Sequence, residues 1–246
     1  MTTLPRSFQF RWSCEWFSKE MKLLITIGTL AFYAVTTCQL WSQINEWTSL
    51  GWPEGGEIQR LVVDPQNPNT LYAVGAVYAE NRGVGLFKST DAGANWRSIN
   101  FGLTAPAVYT LMMDPQNPTT LYVGTWGSGV FKSIDGGESW GSTALTRTFI
   151  SALTVDPKNP KTVYAAAFSG GRSYAVSGLY KSTDAGATWS LFSGSLEPNI
   201  QVLAVDPQGT VYAGEGLCCE VGGLYKSSDN GNTWIVVPEL DRKSVV

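Results

Sequence analysis

Four times along the chain, short apolar runs alternate with polar turns, and the same two turns return in the same order. The first unit shows the pattern. Ile58 to Val63 is an apolar-rich run, Asp64-Pro-Gln-Asn-Pro68 interrupts it, and Leu71 to Gly75 is apolar again. Gly85 to Ser89 follows a more polar stretch, and Trp96 opens a last short segment after a turn rich in Asp and Gly. Runs this short, rich in Val, Leu and aromatic residues and bounded by Pro, Asp and Gly, predict strands and not helices. The unit therefore predicts strand a over Ile58 to Val63, b over Leu71 to Gly75, c over Gly85 to Ser89, and d from Trp96. Proline keeps the a–b turn out of any central strand. In the c–d turn, Gly permits positive φ and Asp can bond the turn backbone.

Self-similarity extends this unit over most of the chain. The c–d segments are Gly85-Leu-Phe-Lys-Ser-Thr-Asp-Ala-Gly-Ala-Asn-Trp96, Gly129-Val-Phe-Lys-Ser-Ile-Asp-Gly-Gly-Glu-Ser-Trp140, Gly178-Leu-Tyr-Lys-Ser-Thr-Asp-Ala-Gly-Ala-Thr-Trp189 and Gly223-Leu-Tyr-Lys-Ser-Ser-Asp-Asn-Gly-Asn-Thr-Trp234. Their aspartates Asp91, Asp135, Asp184 and Asp229 are separated by 44, 49 and 45 residues. The a–b turns interleave as Leu61-Val-Val-Asp64-Pro65, Leu111-Met-Met-Asp114-Pro115, Leu153-Thr-Val-Asp156-Pro157 and Leu203-Ala-Val-Asp206-Pro207. Four antiparallel strands returning every 42 to 50 residues is the spacing of a propeller blade. The expected fold is all-β: a β-propeller over residues 43–246, with blades near 56–100, 106–145, 148–194 and 198–238.

Residues 1–42 read differently. Leu23 to Val35 is uncharged and apolar, preceded by Lys19 and Lys22. That is a signal sequence in form and short for a membrane span. Export through a segment near 21–42 to the envelope or the exterior is expected, with translation starting at Met21 and no stable span after cleavage. An uncleaved anchor and a lipid on Cys38 remain as alternatives.

Composition narrows the chemistry. The chain of 246 residues has 17 basic and 20 acidic residues, so it lacks the basic excess that grips nucleic acid. It has no histidine, which removes the commonest general base and metal ligand. Cys218 and Cys219 are adjacent and can close only a strained bridge. A single Asp per turn does not assemble the six or more oxygens that calcium takes, so neither metal nor cofactor is expected.

The pattern Ser-x-Asp-x-Gly-x-x-Trp resembles the Asp-box, or BNR, repeat of sialidases, sortilin-type receptors, xyloglucanases and photosystem-assembly propellers. Its residues here are Ser89, Asp91, Gly93 and Trp96; Ser133, Asp135, Gly137 and Trp140; Ser182, Asp184, Gly186 and Trp189; and Ser227, Asp229, Gly231 and Trp234. The resemblance implies an architecture, with these residues structural and each box Trp packed against its own blade. It does not imply an activity, because a fold hosts unrelated functions.

Topology then separates two faces. Both repeated turns fall on one side, and the b–c and d–a loops fall on the other. The b–c loops vary in length and carry Tyr78, Glu80, Asn81, Arg82, Trp126, Arg172, Tyr174, Glu215 and Glu220. Variation concentrated on one face marks the binding face of a repeat protein. The set Tyr78, Arg82, Trp126, Arg172, Tyr174, Glu215 and Glu220 suits a carbohydrate, peptide or protein ligand.

Catalysis is the weaker expectation. Eight of nine aspartates belong to the two turns, leaving Asp241 alone. A glycosidase needs a carboxylate pair about 5–9.5 Å apart. The Phe-Arg-Ile-Pro segment that supplies the first sialidase arginine is absent, and Arg60, Arg82, Arg147 and Arg172 lack its context. A non-catalytic binding propeller is expected, with a glycoside hydrolase or part of one as the alternative. Finally, Asn45-Glu-Trp47-Thr-Ser-Leu50 resembles the end of a box and a d strand. A leading d strand before four complete units predicts further blades, six to eight in all.

Overall fold

The computed structural model describes residues 57–77, 82–104, 107–168, 177–192, 200–215 and 223–238. The chain divides after Ser49, and all of these residues belong to the unit Leu50–Val246. The segment 21–42, the pair Cys218 and Cys219, and Asp241 lie outside the described residues. No described helix is long and apolar enough to cross a membrane.

Sixteen strands form four sheets, one per repeat, each ordered as in the chain. The first sheet is β1 (Glu57–Val63), β2 (Leu71–Val77), β3 (Arg82–Ser89) and β4 (Arg97–Ser98). The second is β5 (Val108–Met113), β6 (Leu121–Thr125), β7 (Val130–Ser133) and β8 (Gly141–Ser142). The third is β9 (Phe149–Val155), β10 (Val163–Phe168), β11 (Gly178–Ser182) and β12 (Ser190–Leu191). The fourth is β13 (Ile200–Val205), β14 (Val211–Glu215), β15 (Leu224–Ser227) and β16 (Ile235–Val236). All pairings are antiparallel. The expected strands a, b and c are each found, and d begins one residue after the box Trp. Only two residues of each d strand pair before the chain departs.

The sheets pack face on face, and three apolar clusters fill the gaps between neighbours. Tyr72, Val74, Leu86 and Ile99 of the first blade meet Leu111, Met113, Phe131 and Trp140 of the second. Tyr122, Val130 and Leu145 of the second meet Leu153, Val155 and Val163 of the third. Tyr164, Ala166 and Leu179 of the third meet Ile200, Leu203 and Val211 of the fourth. A blade sandwiched on both faces buries both sides of its central strands, so β6 is buried along its whole length. This is why strand b reads as a continuous apolar run and not as an alternating one.

Trp140 corrects one expectation. Its ring lies in the cluster shared with the first blade, and its Nε1–H donates to the Ile99 carbonyl at 2.8 Å. Trp189 and Trp234 likewise pack against the clusters shared with their preceding blades. The box Trp is thus an inter-blade residue, because the box turn carries it beyond the edge of its own sheet.

Candidate functional site

The two repeated turns occupy one end of the blades and are bonded to each other. In the second box, Ser133 Oγ donates to Asp135 Oδ1 at 2.7 Å and accepts the Gly137 N–H at 2.9 Å. The same carboxylate accepts the Ser139 N–H at 3.0 Å and the Ser139 hydroxyl at 2.5 Å. Ser89/Asp91/Gly93, Ser182/Asp184/Gly186 and Ser227/Asp229/Gly231 repeat the arrangement, with Asn95, Thr188 and Thr233 in the place of Ser139. That fourth partner, one residue before the Trp, escaped the sequence reading because its identity varies while its hydrogen-bonding capacity does not. The hydroxyl donors Ser139, Thr188 and Thr233, first among several hydrogen bonds, hold Asp135, Asp184 and Asp229 down at about 2. Asn95 does the same in direction for Asp91.

Both residues at the turn apex are left-handed: Gly136 and Gly137 in the second box have φ of 71° and 87°. Ala92, Ala185 and Asn230 take the first of these positions at φ 57°, 59° and 59°, a conformation that costs a side chain free energy. The strain is fixed by the neighbouring turn, since Ala92, Gly136 and Ala185 donate N–H to the a–b turn carbonyls of Asn69, Thr119 and Lys161. In those turns Asp64, Asp114, Asp156 and Asp206 accept backbone N–H bonds from the residues that follow them. Every repeated aspartate is therefore a turn cap. Among the described residues no group of three His, Cys, Asp or Glu could hold a metal ion.

The opposite end is built differently. Each strand a carries a bulge near this end, which leaves Gln59, Tyr109, Ser151 and Gln201 out of register. A bulge bends the strand and re-aims a side chain. In the third blade it lets Ser151 Oγ donate across to the Ile200 carbonyl at 2.6 Å. In the second it accompanies Tyr109 into a group of aromatic rings. Tyr109 and Phe149 meet edge to face at 5.0 Å between centroids, Phe149 and Trp126 at 4.4 Å, and Phe149 and Phe168 at 6.3 Å. Trp126 is 61% exposed and Phe168 41%, so the rings form a shelf open to solvent across the second and third blades.

The backbone beneath Trp126 is tightly held. Thr125, with no exposed surface, donates its hydroxyl to the Gly129 carbonyl at 2.8 Å and accepts the Ser128 N–H at 3.2 Å. Trp126 N–H donates to the Ala107 carbonyl at 3.0 Å. Gly129 closes the turn at φ 83°, and a Cβ there would come within 1.9 Å of the Leu145 carbonyl oxygen. Trp126 is thus an exposed ring on a hydrogen-bonded turn.

Of the expected binding residues, Trp126 lies in this shelf. Glu215 ends β14 in the fourth blade, and its carboxylate accepts the Gly223 N–H and the Tyr225 hydroxyl, both at 3.0 Å. It ties the end of strand b to the start of strand c. Arg82 opens β3, but its side chain and the residues Tyr78, Arg172, Tyr174 and Glu220 lie outside the described residues. Tyr109, Phe149 and Phe168 were not expected. Their signal was the aromatic flanking of the first residue of strand a and the last of strand b, legible only once a bulge brings them together. On the turn side, an open groove of about 450 Å³ runs between the second and third blades, lined by Lys132, Thr143, Asp184 and Gly186.

Comparison with known proteins agrees with this architecture. Residues 84–198 match the family model Sortilin-Vps10, described as sortilin, neurotensin receptor 3. Among curated proteins no sequence matches. An ancestral GH74 enzyme superposes with a TM-score of 0.61 at 25% identity, covering 79% of this chain and 26% of its own. The GH74 xyloglucanase from Xanthomonas campestris gives 0.58 at 23% identity, covering 75% and 30%. YCF48 from Cyanidioschyzon merolae gives 0.53 at 15% identity, covering 77% and 58%. The chain spans about a quarter of the length of the first of these structures. The protein is a β-propeller built of four-stranded antiparallel blades, with four repeats present. Within the propellers its likeness is to the sortilin and GH74 kind.

Proposed function

We propose that the chain is an exported, non-catalytic binding propeller whose aromatic shelf takes a saccharide or peptide segment across the second and third blades. The observation that carries this reading is Trp126, 61% exposed on a hydrogen-bonded turn and continuous with Tyr109, Phe149 and Phe168. Soluble proteins seldom expose several large rings together outside a contact surface. Aromatic anchors with few polar neighbours are the usual lining of ligand sites, and Trp and Tyr dominate binding hot spots. Export is supported by the apolar segment after Lys22.

The likeness to GH74 enzymes favours a second reading, a glycoside hydrolase or a piece of one. Against it stand the eight turn-bound aspartates and the clasped Glu215. One titration separates the two. Tryptophan fluorescence of the full chain is followed against xyloglucan oligosaccharides and against a peptide mixture, with reducing ends assayed in parallel. Saturable binding without turnover, weakened about tenfold or more in Trp126→Ala, is expected of a hot-spot Trp. Release of reducing ends that Glu215→Gln abolishes would establish the enzyme instead.

A further inference from the structure

At the turn end, neighbouring blades are held by one device used three times. In each, a Lys on strand c reaches the apex carbonyl of the next box: Lys88 to Gly136 at 2.9 Å, Lys132 to Ala185 at 2.9 Å, Lys181 to Asn230 at 3.2 Å. Each ammonium also lies over the strand b tyrosine of its own blade, Tyr72, Tyr122 or Tyr164, at 5.4 Å. Between the first and second blades a carboxylate completes the contact. Glu138 of the second box pairs with Lys88 at 3.4 Å, and also with Arg97, the residue opposite Lys88 on strand d.

Between the second and third blades the same two positions hold small residues. Gly141 stands opposite Lys132 where Arg97 stands opposite Lys88, and Ala187 replaces Glu138 in the third box. Both line the groove of about 450 Å³, and Lys132 stands in its wall. Among the described residues no carboxylate takes the place of Glu138 beside this lysine. Asp184 also lines the groove, but Ser182 and Thr188 already bond its oxygens. Its counterpart Asp135 is bonded in the same way by Ser133 and Ser139 in the seam where Glu138 sits. Burial lowers Lys132 from its ordinary 10.5 against the pull of Asp114 and Asp184, the mark of an ammonium short of solvent. A third departure from the repeat falls on the same groove. Ile134 lines it and is 72% exposed, where the other boxes carry Thr90, Thr183 and Ser228.

We propose that this groove is a subsite for a peptide segment, taking an acidic side chain with its carboxylate on Lys132 and an apolar neighbour on Ile134. The first seam supplies the template, since the group beside its equivalent lysine is a glutamate side chain. An ammonium has three donors, and Lys132 directs one to the Ala185 carbonyl. A charge-assisted bond to a carboxylate is stronger than one between neutral groups. The described residues lining the groove include no aromatic ring, so a sugar finds no face to stack on. The subsite lies at the opposite end of the blades from the aromatic shelf, and neither depends on the other.

Amide resonances of Ser142 and Thr143 in the isotope-labelled full chain report on the groove, and the probe is the blocked dipeptide N-acetyl-Leu-Glu-amide. Saturable shifts are expected, with binding about tenfold weaker for N-acetyl-Leu-Gln-amide, which lacks the charge. Lys132→Met should erase the preference for Glu, but it also unties the seam, so a second variant fills the groove instead. Gly141→Arg combined with Ala187→Glu rebuilds the ion pair that Arg97 and Glu138 make between the first two blades. A Cβ at Gly141 meets nothing within 4 Å, so the melting temperature should not fall. This double variant should lose the dipeptide shifts, while Trp126→Ala should keep them. No saturable shift, equal affinity for the Gln dipeptide, or shifts that survive in the double variant would overturn the proposal. So would saturable binding of glucuronate in preference to the dipeptide, which would assign the groove to acidic sugars.

Discussion

The two ends of these blades differ in how their polar groups are used. At the turn end every repeated Ser and Asp is paired within its own turn, the apex N–H groups reach the adjoining turn, and the apex carbonyls of all but the first blade bond to the blade before. At the loop end of the second blade the hydrogen bonds described are spent on backbone, as in the turn that holds Trp126, and the rings of Trp126 and Phe168 beside it face water. Repetition marks the end that assembles the blades. Irregularity marks the end at which we propose that a ligand binds, the division expected when a rigid scaffold presents varied loops.

The strongest challenge to that division is a substitution at the loop end that should behave like one at the turn end. Gly129→Ala places a methyl on a residue at φ 83° and 1.9 Å from a carbonyl oxygen. It should destabilise the protein by about 3 kcal/mol or more, read as a large fall in the denaturation midpoint. A mild effect would mean that the turn beneath Trp126 is pliable and the shelf is not preorganised. At the turn end, Ser133→Ala leaves the buried Gly137 N–H without its acceptor and frees Asp135 from one donor. The expected loss is about 1–3 kcal/mol in chemical denaturation, with ligand binding at the shelf unchanged.

Acid gives the gentlest test. Asp135, Asp184 and Asp229 sit at about 2 in the fold against an ordinary 3.8, because hydroxyl and backbone donors bond the charged form. A depressed folded pKa contributes stability that is complete above the unfolded value and is lost as pH falls through the folded one. The melting temperature should therefore hold steady down to pH near 4 and decline from there towards 2. Exposure and solvent screening keep each contribution small. A decline beginning near neutrality would show that groups other than the box aspartates govern the acid response.

Much of this was legible beforehand, for a local reason. A box turn is closed by residues within a few positions of one another, so Ser133, Asp135 and Gly137 announce it by spacing alone, and Pro after Asp64 announces the a–b turn. Four returns of both turns, with short apolar runs between, suffice for four-stranded blades. Which face varies also followed from connectivity, because turns a–b and c–d must share an end in an up-and-down sheet.

Three features lay beyond that reading, and each depends on contact between residues distant in the chain. The box Trp belongs to the seam with the preceding blade, since Trp140 bonds Ile99 across it. The lysines of strand c looked like ordinary repeat residues until their reach to the next apex carbonyl gave them a task. The aromatic shelf needed a bulge to bring Tyr109 beside Phe149, which lies 40 positions later in the chain. Local chemistry written in the sequence thus determined the blade, its turns and its two unlike ends. Only the tertiary structure decided how blades hold one another and which rings meet, because those energies arise from surfaces that no single repeat contains.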